Sequence, residues 1–277
     1  MPVAEARVPV VPHPLDQETF LSEHVLARQP VVIRAGDLER LDWRTGRWTP
    51  EYLGERVGPR PVSVQVRKSG PFGSTLPGSG RVRMPFDRFV RQVMASDSGD
   101  ESLYLNLQGM SQQLTAPLLQ LLGDFTLPRY FRDAAVRWIN LWMGHNSTRT
   151  KSQLHHDYHD NLYVVVRGRK SFVLFPPRDL PFLYTRGRPL RADPNGVVHY
   201  GRQAVPEPHF SVLDTEKADL ERYPKFAFAR PRRITVEQGD LLYLPAGWFH
   251  EVSSEGLHVA VNFWADPPAN DQVKPVS

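Results

Sequence analysis

The spacing of apolar residues changes near residue 136, from a helical period to a period of two. Before this point, several stretches carry apolar residues three or four positions apart behind polar or proline residues suited to a helix start. They predict helices over Gln17–Arg28, from Thr49-Pro50-Glu51 onward, over Pro85–Met94 and over Leu114–Leu122. Short apolar or alternating runs predict strands at Pro30–Ile33, Val62–Val66 and Leu103–Leu107, and Ser69–Gly80 has the composition of a loop.

After residue 136, short alternating segments bounded by turn residues predict a series of strands. These are Arg137–Met143, Asn161–Val166, Lys170–Phe175, Asp240–Leu244, Trp248–Val252 and Leu257–Trp264. Gly168, between two of the strands, predicts a tight hairpin. Many short strands of this kind favour an antiparallel sandwich or barrel such as a double-stranded β-helix.

The same pattern predicts a mainly β fold with flanking helices. Residues 1–135 are expected to pack on and extend the core as an N-terminal α/β part, and residues 136–277 to form the double-stranded β-helix (jelly-roll or cupin) core. A Pro- and Arg-rich stretch of little periodicity, about 176–232, is expected to be a long insert. Stretches of that length inside a compact domain are usually functional or poorly ordered.

Composition removes several function classes. The chain of 277 residues has no cysteine, which excludes disulfides, thiolate metal sites and a cysteine nucleophile, so any metal must be held by His, Asp or Glu. The longest apolar run, Leu162–Val166, is far too short to span a bilayer. Without an apolar N-terminal signal, the expected location is the cytoplasm and no membrane partner is expected.

The net charge of +4 comes from 34 basic and 30 acidic residues that are spread along the chain. Nucleic-acid binding usually produces a patch or stripe of basic residues, so this distribution does not favour a nucleic-acid partner. The sequence does not indicate an oligomeric state.

Candidate metal ligands lie close together at residues 155–157. His155 and Asp157 are two positions apart, so on a strand their side chains share a face, and His250 follows on a later strand. Two His and one carboxylate are the ligand set of non-haem Fe(II) oxygenases. His156 and His159 are rival ligands, and His250 alone fits a histidine bonded to backbone; the remaining histidines, including His145, His199, His209 and His258, are read as structural.

The chain resembles the jumonji-C (JmjC) domain oxygenases of the cupin superfamily. The resemblance rests on blocks in family order: Leu154-His155-x-Asp157-x-x-Asp160-Asn161-Leu162, Gly168-Arg169-Lys170, Leu174-Phe175-Pro176-Pro177, Gly239–His250 and Val261-Asn262-Phe263-Trp264. The nearest subgroup contains a lysyl hydroxylase acting on developmentally regulated GTP-binding proteins. In that subgroup a Glu precedes the pocket Asn, where this chain has Asp160.

The resemblance implies a hydroxylase that depends on Fe(II), 2-oxoglutarate and dioxygen. It implies that His155, Asp157 and His250 bind the iron and that Lys170 pairs with the far carboxylate of 2-oxoglutarate. An ammonium in a mostly apolar strand independently indicates an anionic partner, although a lysine reaching solvent from a strand end is the alternative. The other residues that it places near the co-substrate are Tyr104, Ser152, Asn161 and Asn262.

By the same resemblance, the expected reaction is hydroxylation of an amino-acid side chain in a protein or peptide, with lysine favoured. A small-molecule or tRNA-nucleoside hydroxylase of the same chemistry is one alternative. A non-redox cupin metalloenzyme, which would need neither Lys170 nor 2-oxoglutarate, is another, and a cupin-fold binding protein without chemistry is a third. The roles of His156, His159 and Trp264 stay open.

Overall fold

The computed structural model describes residues 7–67, 79–95, 102–110, 116–201 and 205–274. Within these ranges the chain forms fourteen strands: β1 (Val10–Pro12), β2 (Val31–Arg34), β3 (Pro61–Arg67), β4 (Ser79–Pro85), β5 (Ser102–Met110), β6 (Val136–Lys151), β7 (His155–His156), β8 (Asp160–Arg167), β9 (Arg169–Phe175), β10 (Pro189–Ala192), β11 (Val198–Tyr200), β12 (Arg232–Glu237), β13 (Asp240–Leu244) and β14 (Phe249–Ala265).

The helices lie mainly before residue 122. They are α1 (Gln17–Thr19), which continues as a π-helix over Phe20–Val25, α2 (Pro50–Val57), α3 (Phe86–Ala95) and α4 (Ala116–Leu121). Thr49 caps α2 by accepting the amide N–H of Tyr52, as the Thr-Pro-Glu sequence predicted. The predicted helix over Gln17–Arg28 is shorter than expected, because Arg28 adopts a positive φ of 54°.

Twelve of these strands form one sheet in the order β1-β2-β13-β8-β14-β6-β5-β3-β4, with β7, β9 and β12 attached beside it. This confirms the prediction of a mainly β fold, and the large sheet is consistent with a jelly-roll core. Strands β1–β5, from the N-terminal part, extend both edges of the core strands. The division into parts at about residue 135 stays a prediction.

The long strand β14 runs through the centre of the fold. One edge of it pairs with β6 and β7, and the other edge pairs with β9 and then β8. The sequence predicted two strands here, Trp248–Val252 and Leu257–Trp264. They are one strand, because the Ser254–Gly256 segment is accommodated as an irregularity of the pairing with β6 rather than as a turn.

The prediction of a hairpin at Gly168 is wrong. Strands β8 and β9 do not pair with each other; both pair with the same edge of β14, one after the other. Gly168 has a φ of 73°, and a Cβ there would lie 2.4 Å from the backbone oxygen of Leu257. The glycine therefore permits a bend where the chain passes close to β14.

The extension made by β3–β6 has two different faces. Alternate residues on one face, such as Val64, Leu105 and Leu141, belong to the main apolar core together with Phe86 and Phe89 of α3. The opposite face carries polar and aromatic residues and continues into the cavity described below. No helix in the described ranges is long and apolar enough to cross a membrane.

The insert at 176–232 contains a small hairpin, β10 with β11, and short 3₁₀ turns at Pro177–Phe182 and Pro224–Phe228. It contacts the core strands closely. Gly247, before β14, has a φ of 79°, and a Cβ on it would lie 2.1 Å from the backbone oxygen of Gly196 in the insert. The insert thus packs directly against the turn that leads to His250.

Candidate active site

A cavity of about 370 Å³ opens between the core strands, the β3–β5 extension and the insert. Its lining includes every residue that the sequence analysis proposed for iron or for the co-substrate: Tyr104, Ser152, His155, Asp157, Asn161, Lys170, His250 and Asn262. Residues far apart in the chain are thus brought to one space of a size suited to small molecules.

His155, Asp157 and His250 form one cluster in this cavity. The ligand atoms of the three lie within 4.8 Å of one another, and His250 Nε2 is 3.7 Å from Asp157 Oδ2. The closeness follows from the strand register, because His155 on β7 is directly opposite His250 on β14. Two imidazoles and one carboxylate on one side match the donor set that Fe(II) oxygenases use.

Backbone carbonyls orient both imidazoles. Nδ1 of His155 is 2.7 Å from the carbonyl oxygen of Gln153, and Nδ1 of His250 is 3.1 Å from that of Trp248. A carbonyl accepts only, so each Nδ1 carries the hydrogen and each Nε2 keeps its lone pair for a metal. The backbone oxygen of Asp157 accepts the Gly247 N–H at 3.0 Å, which joins the third ligand to the same turn.

The protonation state also suits a metal. Burial, and after it the neighbouring His250, lowers the pKa of His155 to about 4. The imidazole is therefore neutral at physiological pH, as a metal ligand must be.

The rival histidines lie outside this cluster. His156 is fully buried, with Nε2 at 2.7 Å from the hydroxyl of Tyr200 and Nδ1 near the backbone oxygen of Asp157. His159 stacks on Trp264, with ring centroids 5.8 Å apart and planes within 6°. Of the two, only Trp264 lines the cavity.

Lys170 on β9 lies in the same cavity and is only 1% exposed. Its Nζ donates to Ser254 Oγ at 3.1 Å and lies 5.2 Å from the ring centre of Tyr104. In the described part of the chain, no carboxylate forms an ion pair with it. Burial without a counter-charge lowers the pKa of Lys170 to about 7. The site therefore has the chemistry to accept an anionic group from a ligand.

Two hydroxyl groups share the cavity with Lys170. Burial raises the pKa of Tyr104, so its hydroxyl stays protonated and can donate a hydrogen bond. The hydroxyl oxygen of Ser152 accepts the Val252 N–H at 3.0 Å, which leaves the hydroxyl hydrogen for another acceptor.

The two asparagines are linked to a tryptophan. Trp142 Nε1 donates to Asn262 Oδ1 at 2.8 Å, and Asn262 Nδ2 donates to Asn161 Oδ1 at 2.9 Å. Because an indole N–H can only donate, it determines the orientation of both amides. The NH₂ group of Asn161 is then the donor at the end of this chain.

Sequence reasoning missed part of the cavity wall. Phe210, from the insert, stacks on His155 with centroids 4.7 Å apart and planes within 8°, and His209 and Glu207 also line the cavity. The insert pairs with the ligand segment through an isolated bridge between His155 and Phe210. His209 was expected to be structural but lines the cavity. The low periodicity of the insert gave no signal for Phe210 and Glu207.

Asp160, which departs from the subgroup pattern, connects several segments of the chain that surround the site. It is 3% exposed, and its carboxylate accepts hydrogen bonds from both terminal nitrogens of Arg28, from the Tyr243 hydroxyl and from the Ala246 N–H. Trp248 Nε1 in turn donates to the backbone oxygen of Arg28 at 2.9 Å. The end of the N-terminal helical segment is thereby tied to β8, which follows Asp157, and to β13 and the turn, which precede His250.

Comparison with known proteins gives the family. A model of the family described as "Cupin-like domain" matches residues 17–271. The tRNA wybutosine-synthesizing protein 5 of Gallus gallus is 31% identical over 265 residues, covering 91% of this chain and 76% of that protein.

Two further relatives carry JmjC names. The bifunctional peptidase and (3S)-lysyl hydroxylase JMJD7 of Homo sapiens is 31% identical over 280 residues, covering 94% of this chain and 84% of that protein. The lysine-specific demethylase JMJ31 of Arabidopsis thaliana is 30% identical over 251 residues, covering 79% of this chain and 43% of that protein. Enzymes of this group use Fe(II) and 2-oxoglutarate. The chain belongs to the cupin-like family and, within it, to the JmjC-type 2-oxoglutarate-dependent oxygenases.

Proposed function

We propose that this protein is an Fe(II)- and 2-oxoglutarate-dependent hydroxylase of an amino-acid side chain, with lysine in a protein or peptide as the favoured target. One observation carries the proposal: a His-Asp-His cluster and a buried lysine line the same cavity, and the lysine has no carboxylate partner among the described residues. The name of the relative JMJD7, a (3S)-lysyl hydroxylase, supports lysine.

In this proposal His155, Asp157 and His250 hold Fe(II), and Lys170, Tyr104 and Ser152 hold the far carboxylate of 2-oxoglutarate. When bound, iron and 2-oxoglutarate supply the oxidation: one oxygen atom of O₂ enters the substrate C–H bond and the other enters succinate, with release of carbon dioxide.

The protein's own contribution is orientation. The carbonyls of Gln153 and Trp248 fix the imidazole rings, and the chain Trp142–Asn262–Asn161 fixes the amide donor at the cavity wall. Phe210 covers one face of His155 and limits water access there.

The proposal is tested by an anaerobic absorption spectrum. Addition of Fe(II) and 2-oxoglutarate to the purified protein is expected to produce a metal-to-ligand charge-transfer band, absent in His155→Ala and Asp157→Ala. Admission of oxygen should then yield succinate. Iron binding without the band or succinate would overturn the proposal and favour a non-redox cupin metalloenzyme.

A second candidate, hydroxylation of a nucleoside in tRNA, is favoured by a specific surface. The cavity-side face of β3–β6, here called the polar face, carries no Asp or Glu among its described residues. It comprises Arg81 and Arg83 on β4, Gln65 and Arg67 on β3, Tyr104, Asn106 and Gln108 on β5, and Trp138, Asn140 and Trp142 on β6. Arginines, amides and aromatic rings are the groups that bind phosphates and bases.

Offering both substrates separates the candidates. The protein is incubated with total tRNA and, separately, with lysine-containing peptides, and mass spectrometry detects the gain of one oxygen atom. If tRNA is the substrate, Arg81→Glu and Arg83→Glu should weaken tRNA binding and its salt dependence, whereas Arg88→Glu on α3 should change little. Oxygen gain by peptides alone would exclude the tRNA candidate.

A further inference from the structure

Two residues that the sequence analysis did not connect with Lys170 form a hydrogen-bonded chain with its ammonium group. Its Nζ donates to Ser254 Oγ at 3.1 Å, and Ser254 Oγ lies 3.4 Å from His258 Nε2. Both supporting residues belong to β14, four positions apart, and His258 is fully buried while Ser254 lines the cavity.

The hydrogen bond between His258 and the backbone of Gly256 determines the direction of the other hydrogen bonds in this chain. Nδ1 of His258 is 2.9 Å from the carbonyl oxygen of Gly256, so Nδ1 carries the hydrogen and Nε2 is an acceptor. Burial, and after it the charge of Lys170, lowers the pKa of His258 well below its usual value, which keeps the ring neutral. Ser254 therefore donates its hydroxyl hydrogen to His258 and presents a lone pair to Lys170.

The backbone leaves room for this arrangement at one residue. Gly144 on β6 lies directly opposite both His258 and Tyr104. A Cβ at Gly144 would lie 2.8 Å from His258 Nε2 and 3.1 Å from a ring carbon of Tyr104. A glycine in the interior of a strand commonly marks such a close approach.

We propose that Ser254 and His258 form a buried relay that holds the Ser254 hydroxyl as an acceptor for Lys170, and so favours the charged form of this side chain and aims it into the cavity. One N–H of the ammonium is bonded to Ser254, and two remain for an anionic ligand. Both are positioning residues. That the ligand is the carboxylate of 2-oxoglutarate rests on the proposed function; the relay itself does not.

Removing either member should disfavour the charged form of Lys170. Ser254→Ala deletes the only hydrogen-bond acceptor of Lys170 in the described ranges. His258→Leu releases the Ser254 hydroxyl, which can then rotate and donate to the neutral amine. The glutamine amide oxygen of His258→Gln reaches the position of Nε2 and should preserve the arrangement.

The titration of Lys170 can be followed directly. The chain has six lysines, so NMR of the full-length protein with ¹³C-labelled lysine ε-carbons gives few signals, and Lys170→Arg assigns the one of interest. The titratable groups around it are Tyr104 from β5 and His258 from β14. His145 from β6 acts on His258, and Tyr104 in turn acts on Tyr163 from β8. The tyrosines stay neutral over the range of interest.

If the relay exists, the titration midpoint of Lys170 should fall by about half a pH unit or more in Ser254→Ala and His258→Leu. In His258→Gln it should stay near the wild-type value. Ser253→Ala is the matched control, because its side chain points to the opposite face of β14. Unchanged midpoints in Ser254→Ala and His258→Leu would overturn the relay. A midpoint in His258→Gln as low as in His258→Leu would show packing rather than hydrogen bonding, and would also overturn it.

Calorimetry with 2-oxoglutarate on the Mn(II)-loaded protein gives the second readout. At pH 7.5, Ser254→Ala and His258→Leu should raise Kd about fivefold, with Mn(II) affinity unchanged. Absence of 2-oxoglutarate binding in the wild type would refute the proposed function while the NMR titration still decides the relay. Normal wild-type binding with unaffected variants would refute the relay and leave the proposed function intact.

Discussion

Two lysines line the same cavity and have opposite electrostatic surroundings. Lys151, at the end of β6, has three carboxylates close by: Asp214 at 2.6 Å, and Glu216 and Glu251 at 3.5 Å. Burial alone would lower the pKa of Lys151, but these carboxylates raise it above its usual value. Lys170 is more deeply buried, and its only hydrogen-bond partner in the described residues is a neutral hydroxyl.

The difference supports the proposal that Lys151 has a structural role and that Lys170 binds a ligand. The charge of Lys151 is compensated within the protein and ties Asp214 and Glu216 of the insert to Glu251 on β14. The charge of Lys170 has no such compensation from the described residues, and a buried ammonium without a counter-ion costs stability. That cost is recovered when an anion binds, so the comparison points to Lys170 as the group that recognises a carboxylate.

The largest expected effect is on co-substrate binding. Lys170→Met should weaken 2-oxoglutarate binding by about 100-fold or more, because it removes the charged partner of a buried carboxylate. Lys151→Met should change the affinity by less than about threefold, since the charge that it removes is already compensated. Isothermal titration calorimetry on the Mn(II)-loaded proteins measures both. Equal losses would erase the distinction between the two lysines.

The same two substitutions should change stability in opposite directions. Lys151→Met leaves Asp214 and Glu251 without an ion-pair partner in the described residues, whereas Glu216 keeps Arg149. The substitution should lower the free energy of unfolding by about 1–3 kcal/mol, a range that allows for the partial exposure of Asp214. Lys170→Met removes an uncompensated charge and should raise it by about 1 kcal/mol or more at pH 7. Urea denaturation of the ligand-free proteins gives both values; destabilisation by both would contradict the comparison.

The third effect is on pH dependence. With a folded-state pKa near 7 against the usual 10.5, Lys170 is neutral in the native chain and protonated in the unfolded chain between these values. The free protein should therefore gain stability as the pH rises through this window, and the penalty for burying the charge is full below about pH 7.

Binding of 2-oxoglutarate should restore the charge of Lys170 and so take up a proton. Calorimetry in buffers of different ionisation enthalpy is expected to show an uptake of about one proton at pH 8.5 and almost none at pH 6. Lys170→Arg, which stays charged, is the matched control and should show no uptake. Equal uptake by the arginine variant would assign the proton to another group.

The smallest expected effects concern the neutral donors beside Lys170. Tyr104→Phe and Ser152→Ala should each raise the Kd of 2-oxoglutarate about three- to tenfold, as loss of one neutral hydrogen bond does. Tyr184→Phe, in the insert and outside the cavity lining, should leave it unchanged. Losses as large as that of Lys170→Met would mean that the charge is not the dominant contact.

The pair His155 and Asp157 and the main strands could be recognised in the sequence because their signals are local. His155 and Asp157 lie within three residues, and most predicted strands of the core match the observed ones within a few positions. The family resemblance supplied Lys170, Tyr104, Ser152 and the two asparagines, and the structure places all of them around one cavity. Their roles there stay predictions until they are measured.

The sequence-based predictions were wrong or incomplete where contacts between distant parts of the chain determine the structure. The bend at Gly168 and a hairpin turn have the same local sequence, and only the shared pairing with β14 distinguishes them. Ser254 is 84 residues from Lys170, and Asp160 is 132 residues from Arg28, so neither contact leaves a periodic signal. Phe210 comes from an insert without any clear pattern.

The single strand β14 carries cavity residues at even-numbered positions along its whole length: His250, Val252, Ser254, Asn262 and Trp264. Since alternate side chains of a strand point to opposite faces, these residues all face the cavity only while the alternation along β14 is unbroken. A single-residue insertion or deletion between His250 and Asn262 would turn one group of them away from the cavity while the other stayed. This segment is therefore expected to diversify by substitution and to resist changes of length. The insert can vary in length without changing which residues of β14 face the cavity.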